Sequence, residues 1–376
     1  MTNPIRLKDI MKGARNVMDY AQVRRGEQVL LLADTLTPPL ILEALVAALD
    51  QREANFGVMQ ISPPGLHWRA GEEPPTPVKA AVYGADLVIE VLAMEAQAFP
   101  RMQETSMVEH GTRMVVLFGI TEDEMASPFA QFPYEVMHVL TRNVYDKWIA
   151  GATLPDLKPK SLRLTAANGT DLTATYDPRY VVHTGFLFDK LVPGFWNVFV
   201  GATVGIELFQ EVRGTIVFDG LHGEEEYKAL PPLGSDVVYP LNSPVSWEFD
   251  GKYCQIHGGP EADVMRAITA RAGTQAAYIL CEVAVGMHPQ APLSTHPTRH
   301  TGVTHYAIGS TAGRAPTPDK EYAPVHTHGH IRKVNLEIDG EPIIEQGRLL
   351  ALDDPEVVAV ASKYGDPRVI LDDTTY

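Results

Sequence analysis

The sequence of 376 residues contains little cysteine, no long apolar run and no cluster of basic residues. Its two cysteines, Cys254 and Cys281, cannot form a disulfide framework, and free thiols are typical of a reducing compartment. No run of about 18 apolar residues could span a bilayer, and residues 1–12 lack the apolar core of a signal peptide. We therefore expect a cytoplasmic protein without a membrane anchor.

Three classes of partner are disfavoured by the charge and by the absence of glycine motifs. The formal net charge is -16, whereas nucleic acids and anionic membranes select clustered Lys and Arg. No Gly-x-Gly-x-x-Gly follows the first apolar strand, and no Gly-x-x-x-x-Gly-Lys phosphate loop is present. The sequence therefore favours a small-molecule partner over nucleic acid, membrane or nucleotide.

The length predicts two domains, because single cores usually stop growing at about 250–300 residues. In residues 1–150, apolar strands alternate with helical stretches, which predicts an α/β domain with a doubly wound, mostly parallel sheet. The predicted strands lie at residues 29–33, 56–59, 85–91 and 114–118. A linker rich in glycine and proline is expected at residues 150–160.

Residues 151–376 have a different texture, with short strands separated by turn residues. This pattern predicts an α+β domain rich in antiparallel strands. Its clearest helix is expected at residues 261–272, and residues 276–285 form an apolar strand that contains one carboxylate, Glu282. The pair Asp339-Gly340 follows alternating apolar residues and predicts a two-residue hairpin turn.

Three histidines, His326, His328 and His330, occupy every second position of one segment. If the segment is a strand, all three imidazoles point to the same face. Seven of the 13 histidines fall after residue 280, so this part of the chain is the strongest candidate for metal chemistry.

Glu282 completes a possible metal site. A carboxylate inside an apolar strand is costly to bury without a cation or hydrogen-bond partner. Together with His326 and His328 it gives two imidazoles and one carboxylate, which suits non-haem Fe(II), with Zn and Mn as alternatives.

Simpler interpretations remain open at this stage. Glu282 could pair with Arg299 or Arg332, and the histidine strand could be a solvated edge. His300 is expected on a loop outside the ligand set, and His183 could be a structural histidine.

Four sequence blocks resemble the C-terminal half of the thermophilic leucyl aminopeptidases of the aminopeptidase T and S type. They are Leu-Cys-Glu-Val-Ala at residues 280–284, Gly-Val-Thr-His-Tyr-Ala-Ile-Gly at 302–309, His-Thr-His-Gly at 326–329 and Asp-Gly-Glu at 339–341. Weaker similarity extends to residues 29–35, 111–113 and 193–197, and so covers most of the chain. The resemblance implies an aminopeptidase T/S-like fold and a homodimer.

The departures from the peptidase pattern point to another branch of that superfamily. Residues 201–203 lack the ligand glutamate, Ala312 replaces a tyrosine, and His328 replaces the aspartate of a His-x-Asp motif. The branch represented by 2,5-dihydroxypyridine 5,6-dioxygenase is the better match in kind. Carried over by position, it implies one Fe(II) held by Glu282, His326 and His328.

That branch implies a ring-cleaving dioxygenase that acts on a hydroxylated N-heterocycle or aromatic ring with O2. We assign proton transfer to His305 and His183. The expected substrate-contacting residues are His330, Tyr306, Trp196, Phe195 and His300. Two alternatives are a metal-dependent hydrolase or aminopeptidase with one or two divalent ions, and a non-catalytic metal- or ligand-binding protein on the same scaffold.

Overall fold

The computed structural model describes residues 6–63, 74–92, 100–117, 119–149, 158–178, 181–183, 196–199, 203–206, 209–222, 237–295, 297–309, 323 and 325–374. The chain separates into two compact units. The first comprises Met1–His138, Thr184–Ala202 and Tyr364–Asp366, and the second comprises Val139–His183, Thr203–Lys363 and Pro367–Tyr376. The division therefore differs from a single boundary near residue 150.

Strands and helices are numbered along the chain. The strands are β1 Gln28–Asp34, β2 Asn55–Ile61, β3 Leu87–Val91, β4 Arg113–Val116, β5 Lys160–Thr165, β6 Asp171–Tyr176, β7 Val181–His183, β8 Trp196–Val198, β9 Thr203–Ile206, β10 Phe209–Phe218, β11 Gly220–His222, β12 Val237–Val238, β13 Val245–Asp250, β14 Cys254–Gly258, β15 Leu280–Gly286, β16 Thr304–Gly309, β17 His326–Ile331, β18 Asn335–Ile338, β19 Glu341–Glu345 and β20 Arg348–Leu349. The α-helices are α1 Leu7–Tyr20, α2 Pro39–Gln51, α3 Thr76–Tyr83, α4 Pro100–Glu109, α5 Glu122–Ala126, α6 Tyr134–Ile149, α7 Pro260–Arg271, α8 Pro355–Ala361 and α9 Pro367–Ile370.

The first unit is built on a parallel sheet with strand order β2-β1-β3-β4-β8. Every residue of β3 is buried, and so are six of the seven residues of β1, as expected for parallel strands covered on both faces. Reversal of the strand order around β1 is typical of doubly wound folds. The prediction of a mostly parallel α/β sheet in this half of the chain is confirmed.

The path of β8 accounts for the return of Thr184–Ala202 to the first unit. This three-residue strand pairs in parallel with β4, through Met114 and Trp196, and so returns the chain to the first sheet. The second unit begins at Val139, inside α6. Of the predicted linker, residues 150–157 lie outside the described part of the chain.

The second unit contains two antiparallel sheets, in agreement with the predicted strand-rich texture. The eight-stranded sheet has the order β14-β13-β10-β6-β5-β18-β19-β20, and the seven-stranded sheet has the order β12-β11-β17-β16-β15-β9-β7. The sheets meet through aromatic side chains: the ring centroid of Phe218 on β10 lies 6.0 Å from that of Tyr306 on β16 in the other sheet. Within its own sheet, Phe218 also packs 4.6 Å from the ring centroid of Trp247 on β13. One face of the seven-stranded sheet is therefore core.

Two local predictions have different outcomes. Asp339 and Gly340 have φ angles of 51° and 80° between β18 and β19, as a two-residue hairpin turn with left-handed conformations requires, so that prediction is confirmed. The strand predicted at residues 276–285 is too long at its start, since Gln275–Tyr278 form a 3-10 helix. The side chain of Thr274 accepts a hydrogen bond from the backbone N of Ala276 and caps this turn.

None of the helices in the described part of the chain combines the length and the hydropathy that a bilayer span requires.

Candidate metal centre

The histidine triplet lies on an interior strand. His326, His328 and His330 belong to β17, which pairs with β16 on one side and β11 on the other. All three residues are buried, with at most 4% of the surface of each residue exposed. The predicted strand is confirmed. The alternative interpretation, in which this strand is a solvated edge of a sheet, is wrong, because β17 is paired on both sides.

The register of three adjacent strands brings Glu282 to the same face. Glu282 on β15 pairs with Ala307 on β16, and Ala307 pairs with His328 on β17. Cross-strand partners point to the same side of a sheet, and strands two positions apart are separated by roughly 9.6 Å. Because Ala307 carries only a methyl group, the long side chains of Glu282 and His328 can meet above it.

The carboxylate of Glu282 is surrounded by imidazole nitrogens. Its Oε2 lies 3.2 Å from Nε2 of His326 and 3.7 Å from Nε2 of His328. Its Oε1 lies 3.1 Å from Nε2 of His305, whose side chain points to this face from the middle strand. These four buried side chains form one cluster, which we call the histidine–glutamate cluster.

The geometry of the cluster fits a metal ion. One ligand atom from each of Glu282, His326 and His328 lies within 4.8 Å of the other two, and this is the one such group found among the described residues. For metal–ligand bonds of about 2.1 Å, neighbouring ligand atoms are separated by about 3.0 Å in an octahedron and about 3.4 Å in a tetrahedron. The distances of 3.2 Å and 3.7 Å require only small side-chain adjustments to close around an ion.

Arg332, one of the two arginines suggested as alternative partners of Glu282, has other contacts. The guanidinium carbon of Arg332 lies 3.2 Å from the ring centroid of Tyr239, and the backbone N of Arg332 donates to Oδ2 of Asp219. Arg299 is buried in a short 3-10 helix. The ion pairs observed for Glu282 are to histidines, which supports a metal-type environment for this carboxylate.

His330 shares the face of the cluster but lies deeper in the protein. It pairs with His305 across β16 and β17, and its ring packs directly against the backbone of Gly220, where a Cβ would clash. Burial, with smaller contributions from Arg332 and His305, lowers its pKa to about 3. The imidazole is therefore neutral at ordinary pH and would contact a bound molecule as an uncharged group.

His300 is buried but is not brought into the ligand group. It follows the 3-10 helix Pro297–Arg299, and its Nδ1 lies 2.7 Å from the carbonyl oxygen of Thr301. Burial lowers its pKa, and the Thr301 carbonyl opposes this shift. Its assignment to substrate binding stays a prediction.

Tyr306 lies on the opposite face of β16 from His305, because neighbouring residues of a strand point in opposite directions. Its hydroxyl is hydrogen bonded to Oγ1 of Thr304 at 2.6 Å, and its fully buried ring packs near Phe218. Burial raises the pKa of this hydroxyl well above its usual value. The structure thus places Tyr306 in the core between the two sheets and not beside the histidine–glutamate cluster.

Three further predicted residues are located only in part or not at all. The backbone of His183 in β7 pairs with Val204, and that of Trp196 in β8 pairs with Met114. The side chains of both residues, and all of Phe195, lie outside the described part of the chain. Their roles in proton transfer and substrate binding stay predictions.

Sequence reasoning missed two residues at the cluster. Ala307 leaves the space in which the ligand side chains meet, and Sγ of Cys281 lies 3.5 Å from Nδ1 of His326. Ala307 lies between Glu282 and His328 because the three residues are paired across three adjacent strands. The spacing of residues along the chain does not reveal such pairing. The sequence alone indicates for Cys281 only a thiol without a disulfide partner.

A family model described as 2,5-dihydroxypyridine 5,6-dioxygenase matches residues 9–351. The chain belongs to this family. The match confirms the branch suggested by Glu282, His326 and His328 and indicates an enzyme of the dioxygenase type. No curated protein gives a significant match.

Two solved structures share the fold of this dioxygenase-family chain. The 2,5-dihydroxypyridine dioxygenase from Pseudomonas putida KT2440 is 16% identical, with a TM-score of 0.66, and the alignment covers 94% of this chain and 99% of that one. Wild-type AmpT from Thermus thermophilus is 14% identical, with a TM-score of 0.61, over 91% of this chain and 99% of that one. This chain therefore shares its fold with each of the two proteins over nearly the whole length of both partners in the comparison.

Proposed function

We propose that the protein is a mononuclear non-haem Fe(II) dioxygenase that opens the ring of a hydroxylated N-heterocycle or aromatic compound such as 2,5-dihydroxypyridine. The observation that carries the proposal is the buried group of two imidazoles and one carboxylate in a chain of the dioxygenase family. The substrates would be O2 and the small planar ring.

The donor set favours iron. Two histidines and one carboxylate form the ligand type of non-haem Fe(II) oxygenases, and the same set also accepts Zn or Mn. When bound, Fe(II) would supply open coordination positions and the redox chemistry by which O2 reacts with an electron-rich ring.

The side chains of the histidine–glutamate cluster orient one another and are shielded from bulk water. The imidazole of His305 reaches Oε1 of Glu282, which leaves Oε2 directed towards His326 and His328. Because all four side chains are buried, water is largely excluded and their electrostatic interactions are strong. We assign proton transfer to His305, since its imidazole is at the cluster without belonging to the ligand group.

The test begins with metal analysis of protein purified without oxygen. Stoichiometric iron, with uptake of O2 on addition of 2,5-dihydroxypyridine, would support the proposal. His326→Ala should lose both bound iron and O2 uptake. His257→Ala is the matched control, because His257 is a half-exposed histidine on β14, paired with Glu248 in the other sheet of the unit, and its loss should change neither.

Stoichiometric zinc with turnover of an amide in the absence of O2 would overturn the proposal in favour of a hydrolase. Metal binding without any turnover of hydroxylated rings would favour a binding protein. A homodimer and a cytoplasmic location are further predictions, and light scattering of the purified protein tests the first.

A further inference from the structure

A β-bulge lies next to the metal ligand Glu282. Leu280 pairs with Ile308 and Glu282 pairs with Ala307, so β15 has one extra residue, Cys281, at this point. Without the bulge, Leu280 would be opposite Gly309 and would point to the face of the histidines. Because of the bulge, Leu280 instead points to the core face, and Cys281 does not follow the regular alternation of side chains. Bulges commonly redirect side chains in this way next to functional sites.

As a result, two consecutive residues of one strand contact the same imidazole. Cys281 Sγ lies 3.5 Å from Nδ1 of His326, and Glu282 Oε2 lies 3.2 Å from Nε2 of the same ring. Cys281 has 1% of its surface exposed and His326 has 4%, so bulk water does not compete for either ring nitrogen. The orientation of the imidazole is therefore fixed from both ends.

A thiol at this position suits both states of the ring. When Nε2 binds a metal ion through its lone pair, the proton must be on Nδ1, and the sulfur can accept that hydrogen bond. When no metal is bound, Nε2–H can donate to Glu282, and the thiol S–H can donate to Nδ1. An alanine could do neither, whereas a serine hydroxyl could do both.

We propose that Cys281 is a positioning residue that holds the imidazole of His326 in the orientation and tautomer needed for metal binding. The inference rests on the proposed metal site but concerns a residue outside its ligand set. Hydrogen-bond partners of ligand histidines commonly contribute about 10–100-fold to metal affinity. Because sulfur is a weak acceptor, we expect an effect at the lower end of that range.

The first experiment measures Co(II) affinity under anaerobic conditions by competition with a chelator. Cys281→Ala should weaken binding by about tenfold, and Cys281→Ser should recover most of the loss. Cys254→Ala is the matched control: it removes the other buried thiol of the unit, on β14, and should leave the affinity unchanged. Thermal unfolding of the metal-free variants checks that each one folds.

The second experiment observes the ring without any metal. In metal-free protein labelled with 15N-histidine, the Nδ1 resonance of His326 should move in Cys281→Ala, return towards its original position in Cys281→Ser and stay unchanged in Cys254→Ala. The His326→Ala variant assigns the resonance.

An unchanged Co(II) affinity in Cys281→Ala would overturn the inference, and so would equal weakening in the serine and alanine variants, since that result would indicate lost packing volume. If the wild-type protein bound no Co(II), the proposed metal function would fail and the positioning role with it. In that case a shift of the Nδ1 resonance would show that the Cys281–His326 contact is nevertheless real. If the metal site is real but Cys281 does not position His326, the wild type and every cysteine variant should bind Co(II) with the same affinity.

Discussion

Replacing Glu90 by glutamine should make the protein more stable at alkaline pH than the wild type. Glu90 lies on β3 with no exposed surface, among apolar side chains that include Leu32, Val88 and Val116. Its Oε2 accepts a hydrogen bond of 2.9 Å from Gln103, but no hydrogen-bond partner within the described residues reaches its Oε1. Ionisation of this carboxyl in the folded protein is therefore costly.

The size of this difference in the free energy of unfolding follows from the pKa of the Glu90 carboxyl. Burial raises the pKa of Glu90 from 4.5 to about 7, and the hydrogen bond from Gln103 opposes only part of that shift. Between these two values the folded protein binds a proton that the unfolded chain does not, so the free energy of unfolding falls as the pH rises. At about 1.36 kcal/mol per unit, the total loss is about 3 kcal/mol. Above about pH 7 the loss is complete.

The assay compares urea unfolding of the two proteins at several pH values. The sequence pI is about 5.2, so the acid end of the range risks precipitation, and a window from about pH 6 to about pH 8 is practical. Within that window the wild type should lose about 1 kcal/mol relative to Glu90→Gln, because glutamine carries no charge at any pH. Glu43→Gln, on the exposed surface of α2, is the matched control and should follow the wild-type curve. Parallel curves for Glu90→Gln and wild type would refute the reasoning.

Two further predictions separate the two faces of β16. Ala307→Leu should abolish Co(II) binding, because the larger side chain fills the space in which Glu282 and His328 meet. Ala359→Leu, on the exposed surface of α8, is the control and should leave Co(II) binding unchanged. Tyr306→Phe removes a buried hydrogen bond to Thr304 and should lower the free energy of unfolding by about 1 kcal/mol, with metal affinity and KM unchanged. A marked rise in KM in that variant would instead place Tyr306 at the substrate.

The parts of the fold that the sequence predicts are those with strong local patterns. The continuous apolar runs of β1 and β3 indicate a parallel sheet because both faces are covered, and the Asp339-Gly340 pair specifies its turn through two left-handed residues. The return of β8 to the first sheet could not be predicted, since a strand of three residues carries almost no periodic signal.

At the candidate site, the sequence predicts the composition better than the arrangement. The spacing of His326 and His328 and the cost of burying Glu282 are both local properties, and each indicates a ligand. The position of Ala307 between them is a property of pairing among three strands. Such pairing is set by long-range packing, so no single segment contains it.

The rule of alternation also exposes an inconsistency in expecting both His305 and Tyr306 at the site. Consecutive residues of a regular strand point to opposite faces, and the structure obeys this rule: His305 meets Glu282, and Tyr306 enters the core. Cys281 and Glu282 are also consecutive, yet both contact His326, because the bulge suspends alternation at that one residue. The bulge costs regular pairing on β15, and a strand that served only the core would gain nothing from it. Its location beside Glu282, the carboxylate of the candidate metal centre, is therefore a physical reason, independent of the family match, to regard this end of β15 as shaped for chemistry.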